Sequence, residues 1–125
     1  MQRLTVLYDA TCGLCCAARR WLERQDLYVP LEFVRCASDQ AECRFPTLDH
    51  AQSATDVTVV GQGGEIWRGA EAWLMVLWAT WSYRGLSLEL ARPGRIHRGR
   101  EFVHWISRHR HRIGSALHLP GQPPR

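Results

Sequence analysis

The sequence predicts an α/β sandwich on a mixed sheet of about four strands, ordered βαβ and then ββα, with an extra helix at the C-terminal end. Three observations predict it. Between Leu4 and Arg35 a strand-like run, a helical pattern and a second strand-like run follow one another. Near the middle, a glycine-rich turn joins two more β-favouring runs and leads into a strongly apolar helical segment. With 125 residues, 46% hydrophobic and 22% charged, the chain can bury one core without metal or disulfide staples, which leaves its cysteines free for chemistry. One domain over residues 1–119 and a flexible, proline-rich tail over 120–125 are expected.

Leu4 to Tyr8 is short, apolar and β-favouring, so it reads as a buried strand. Asp9-Ala10-Thr11 breaks it, and Thr11 or Asp9 is the expected cap of the next helix. That helix runs from about Gly13 to Gln25, with Leu14, Ala18, Trp21 and Leu22 at helical spacing and Arg19, Arg20, Glu23 and Arg24 on the wet side. After the turn at Pro30, Leu31 to Arg35 reads as a second strand. Strand, helix and strand at this length form a βαβ unit, whose strands are parallel and whose crossover is right-handed. Residues 36–55 carry the weakest signal: Ala37 to Glu42 suits a helical turn, and Arg44 to Thr47 reads as a break. Val57–Val60, Gly61–Gly64 and Glu65–Arg68 give strand, turn and strand, an antiparallel hairpin. A buried helix is expected from Ala70 to about Trp81. Gly85 to Gly99 reads as a loop or weak helix broken at Pro93-Gly94. A last helix from about Arg100 to Ile113 presents Phe102, Val103, Ile106 and Ile113 on one face.

Formal net charge is +4, and all sixteen basic residues are arginine. Arginine and histidine concentrate between Arg92 and Arg112, which suits a solvated basic helix face; nucleic acid is not the expected partner. The N-terminus lacks the layout of a signal peptide, and the longest apolar run, Ala72 to Ala79, is far short of the ~20 residues of a membrane span. Five cysteines without an export signal fit a reducing compartment, so a cytoplasmic location is expected. There, cysteines are usually catalytic or metal-binding.

Asp9-Ala10-Thr11-Cys12-Gly13-Leu14-Cys15-Cys16 lies where the first strand ends and the first helix begins. Two cysteines separated by two residues at a helix start can join with little backbone movement. Thiolate is the nucleophile, and the open N–H groups and dipole of a helix N-terminus lower a cysteine pKa. Cys12, nearest those groups, is the expected attacking thiol and Cys15 the resolving one. A Cys-x-x-Cys that opens a βαβ pattern favours a thioredoxin-like redox site over a zinc knuckle.

These residues resemble the DCC family of thiol–disulfide oxidoreductases, small and mostly bacterial proteins of thioredoxin-like fold. The family signature is an aspartate followed by Cys-x-x-Cys after the first strand, here Tyr8-Asp9-Ala10-Thr11-Cys12-Gly13-Leu14-Cys15. The resemblance continues through Trp21-Leu22, resumes from Gly64 to Ala72, and includes the closing His109-Arg110-His111-Arg112. It implies disulfide exchange with a protein or small-molecule thiol substrate, an electron donor such as a thioredoxin or glutathione system, and no bound cofactor or metal. Asp9 takes the place of the family aspartate. Two roles stand open for it: acid–base partner of Cys15, or a tie for the strand–helix turn. Thioredoxins proper carry a cis-proline before the third strand, and this chain has Ala54-Thr55-Asp56 there.

The remaining constellations have blander readings. Cys16 should point away from the pair as a buried small hydrophobe. Cys36 should lie on the sheet edge that carries Cys12; with Cys43 it either relays a disulfide or is unreactive. Cys12, Cys15, Cys36 and Cys43, with His50 nearby, make a rival zinc set, but six residues separate Cys36 from Cys43. His104 and His111 share a helix face with Arg100 and Arg108 and suit solvent. Trp73, Leu74, Leu77, Trp78 and Trp81 form core stripes. The alternative to an enzyme is a zinc-stapled or membrane-surface binding module that uses this basic, tryptophan-rich C-terminal half.

Overall fold

A computed structural model of the chain describes residues 3–36, 38–49 and 57–121. Strand β1 (Leu4–Tyr8) is the centre of the sheet, and all five of its residues are buried. It pairs in parallel with β2 (Leu31–Arg35), Leu4 opposite Leu31 and Tyr8 opposite Arg35. On its other side β3 (Thr58–Gly61) runs antiparallel, Val6 opposite Val59, and β4 (Ile66–Arg68) pairs antiparallel with β3. The order β2-β1-β3-β4 is a mixed four-stranded sheet, as the βαβ and hairpin patterns predict. Helices α1 (Gly13–Glu23), α2 (Asp39–Arg44), α3 (Ala70–Ala79), α4 (Arg84–Leu90) and α5 (Pro93–Ala116) complete a thioredoxin-like fold.

The period of two along a strand sends neighbouring residues to opposite faces. Leu4, Val6 and Val59 pack with Leu22 of α1 and with Ala72, Val76 and Ala79 of α3. Leu7, Val34 and Val60 pack on the other face with Ala41 of α2 and with Leu48. Each such apolar side chain contributes about 1.5–3 kcal/mol when fully buried. Both faces are therefore covered, and β1 reads as an apolar run for that reason. In the hairpin, the Gly61 N–H donates to the Glu65 carbonyl at 2.8 Å, and Gly64 sits at φ +90°, where a side chain is strained. Ser38 opens α2 by accepting from the Ala41 N–H at 3.1 Å. The expected proline position, Ala54-Thr55-Asp56, lies outside the described residues, as do His50 and residues 122–125.

The C-terminal third departs from expectation. The stretch read as a loop or weak helix holds α4, whose Ser87 hydroxyl donates to the Leu74 carbonyl of α3 at 2.7 Å. Helix α5 begins at Pro93 rather than near Arg100. Proline at a first helical position loses no hydrogen bond, because that N–H has no intrahelical partner anyway, so Pro93 starts the helix it was expected to break. The longer helix turns Val103, Ile106, Arg110 and Gly114 toward the body, at spacings of three and four. Phe102, expected on one face with Val103 and Ile106, is 63% exposed, and Trp81, expected in the core, is 62% exposed.

Two details fix the end of α5. Gly114 is buried against α1, and a Cβ there would lie 3.3 Å from the Leu14 nitrogen. Beyond it, His118 adopts a left-handed φ of 54°, the His118 N–H donates to Ser115 and the Leu119 N–H to Gly114. This Schellman pattern satisfies the last carbonyls and reverses the chain. Gly114→Leu is expected to force the two helices apart and cost about 1–3 kcal/mol. Urea unfolding should show it as a lower midpoint at unchanged slope.

Candidate active site

At the end of β1 the chain turns through Asp9-Ala10-Thr11. The Asp9 Oδ1 accepts from the Thr11 N–H at 3.0 Å and the Thr11 hydroxyl at 2.6 Å, which ties the turn to one carboxylate oxygen. Neither residue caps α1, contrary to expectation. Cys12 is the N-cap, in extended conformation, and its sulfur accepts from the Cys15 N–H at 3.2 Å. An N-cap side chain reaches the amide two or three residues ahead, so Cys-x-x-Cys spacing lets the first sulfur take the hydroxyl's usual role.

That placement sets the thiol chemistry. The hydrogen bond from the Cys15 thiol outweighs burial and, with the Cys15 amide and the charges of His111 and Arg110, lowers the Cys12 pKa to about 6. Cys15 moves the other way: its bond to Cys12, burial and the charge on Cys12 push its thiol far up. Burial alone would raise the Asp9 carboxyl, but the bonds from Thr11 and Arg110 hold it below its ordinary value. At neutral pH this leaves a carboxylate and a thiolate beside one protonated thiol.

Two side chains at the site were not legible in the sequence. Arg110 Nη2 lies 3.2 Å and His111 Nε2 3.6 Å from Asp9 Oδ2. The sequence separation between Asp9 and Arg110 is 101 residues. The face carrying His111 was expected to be solvated, and no spacing rule links it to β1. The signals were indirect: the family resemblance over His109 to Arg112, and the chemistry of a carboxylate near a thiolate, which calls for a neighbouring cation. The chain end also returns to the site. A Cβ on Gly13 would lie 2.1 Å from the Leu119 carbonyl oxygen, and one on Gly121 would lie 2.5 Å from the Thr11 carbonyl oxygen. The residues on both sides of Cys12 are thus covered, and Cys12 is 0% exposed.

The other cysteines separate. Cys16 is buried beside Tyr8 and Ala10, and its thiol donates to the Ala10 carbonyl at 3.3 Å. Cys36 follows β2 on the same sheet edge as the site, its N–H donating to the Tyr8 carbonyl at 2.9 Å. Burial, and then the Asp9 charge, raise its pKa. Cys43 is exposed on α2. Among the described residues no group of three or more histidine, cysteine or acidic side chains is arranged to hold a metal ion, and no helix is long and apolar enough to cross a membrane.

A thioredoxin-like sandwich with a Cys-x-x-Cys pair at the first helix start belongs to the class of thiol–disulfide oxidoreductases. The comparison with protein families agrees: residues 6–116 match the DCC1-like thiol-disulfide oxidoreductase family, and the chain belongs to it. No curated protein and no solved structure matches the chain.

Two outcomes are expected from this geometry. Alkylation of Cys12, followed by mass spectrometry, should accelerate as pH rises through about 6 and level off above neutrality. The thiolate accumulates above its own pKa, whereas an ordinary thiol keeps gaining up to about 8.5. Gly13→Ala should displace the Leu119 segment and raise the alkylation rate several-fold, with no change in that midpoint.

Proposed function

We propose that the chain exchanges disulfides through Cys12 and Cys15, with Cys12 as attacking thiolate and Cys15 as resolving thiol. The observation that carries this reading is the Cys12 sulfur at the N-terminus of α1, hydrogen-bonded by the Cys15 N–H at 3.2 Å. The Cys12 thiolate attacks one sulfur of a substrate disulfide, forming a mixed disulfide and releasing the other sulfur as a thiolate. Cys15 then gives up its proton to a departing sulfur and attacks Cys12. The Cys12–Cys15 disulfide forms, the second substrate thiol leaves, and two electrons have passed to the substrate. A thioredoxin-type or glutathione system would return the pair to the dithiol.

Asp9 acts here as a positioning residue. Its oxygens are committed to Thr11, Arg110 and His111, so it holds both basic side chains beside the Cys12 sulfur. The Leu119–Gly121 segment withdraws before exchange, since a fully covered sulfur cannot be attacked or attack.

The test is the redox midpoint of the pair, read by alkylation and mass spectrometry across glutathione buffers. A single two-electron transition is expected, absent in Cys12→Ser and in Cys15→Ser; a pair that never oxidises overturns the reading. Asp9→Asn should alter the pH profile of Cys12 alkylation, because Arg110 and His111 lose their shared anchor. An unaltered profile with slowed disulfide closure would instead assign Asp9 to proton transfer with Cys15.

A further inference from the structure

Between α5 and the body lies a cavity of about 820 Å³. Its walls come from β1, α1, α3 and α5, and its apolar lining includes Leu14, Ala18, Leu77, Val103 and Ile106. Sites for small organic ligands hold about 300–1,000 Å³ and are mostly apolar with a few placed polar groups, which is the composition found here. The polar groups sit at two ends. At one are Cys15, Asp9 and Arg110; toward the other are Arg95 and Arg98. Arg98 and Arg110 are twelve positions apart on α5, which is about 18 Å along a helix axis. Arg95 pairs with Glu89, while Arg98 has no ion-pair partner among the described residues. Phe102, 63% exposed, stands beside this outer end. An apolar occupant would take this apolar lining out of contact with solvent, which is favourable.

We propose that the cavity binds an elongated apolar molecule with an anionic group at one end and a disulfide at the other, held so that the anion meets Arg98 and the disulfide reaches the Cys15 end. The inference deepens the redox reading and rests on it for the reaction, though not for binding. Cys12 does not line the cavity, so the exchange already written begins when the Leu119–Gly121 segment withdraws and the Cys12 sulfur, bonded to the Cys15 N–H, reaches the disulfide held beside Cys15: one substrate S–S bond breaks, the Cys12–Cys15 bond forms, and two thiols leave carrying the two electrons. Chain length and charge are what the cavity adds. Short polar disulfides fill neither the apolar walls nor the distance to Arg98.

Binding is tested with dodecanoate as the probe, by its quenching of tryptophan fluorescence in the reduced full-length protein. Saturable binding of one dodecanoate is expected. Ile106→Trp, which fills the cavity, should weaken it at least about tenfold. Arg98→Glu, a surface change that does not threaten the core, should weaken it about fivefold and reverse the preference toward dodecylammonium. Absence of saturation, or affinity indifferent to both variants, overturns the site. Exchange is tested with the methyl mixed disulfide of a long-chain ω-mercapto acid against that of thioglycolate, its short homologue, with at least about tenfold higher kcat/KM expected for the long one. Equal rates overturn the assignment of substrate class. If dodecanoate binds as expected but neither disulfide is reduced, and the pair never oxidises in glutathione, the redox reading fails while the binding site stands.

Discussion

The site depends on how closely α5 approaches the N-terminus of α1. Gly114 meets Gly13 and Leu14 where a side chain on Gly114 would press on backbone. Only this near contact brings the last turns of α5 within reach of β1. One turn before Gly114 come Arg110 and His111, which land on Asp9. One turn after it the helix ends, and the left-handed His118 sends Leu119 to Gly121 back across the same loop. Helix packing, cation placement and the cover over Cys12 are thus consequences of one steric allowance.

Opposing effects meet at Cys12. Burial disfavours a thiolate, and the sulfur has no exposed surface. The Cys15 thiol, the open amide at the helix start and the charges of His111 and Arg110 favour it, and together they outweigh burial. Asp9, partly buried and ionised, tolerates its position because Thr11 and Arg110 satisfy its oxygens. The bond to Cys12 and burial raise Cys15, and burial raises Cys36, with the Asp9 charge adding to both, so the thiols of this sheet edge differ in reactivity. In the dithiol, one sulfur is charged and its partner keeps its proton, as sequential exchange requires.

Much of the fold was legible because its signals are local. The pattern from Leu4 to Arg35 has the period of a strand, then a helix, then a strand, and the glycine-rich turn sets the hairpin. The first half of the site was legible for the same reason, since Cys-x-x-Cys carries its geometry in its spacing. Where local signals misled, a second use of the same residue explains it. Pro93 breaks a helix in its interior but starts one at its first position. Asp9 and Thr11 are good caps, yet they bond each other and leave the capping position to Cys12.

Sequence alone determined the order of strands and helices along the chain, the Cys-x-x-Cys pair and which of its cysteines lies at the helix start, because each follows from neighbours within a few residues. The tertiary structure decided the rest. Arg110 and His111 beside Asp9, the covered Cys12 and the long apolar cavity all depend on where a C-terminal helix lies against an N-terminal one. That placement is set by close packing between surfaces about a hundred residues apart. No periodicity within either segment encodes it.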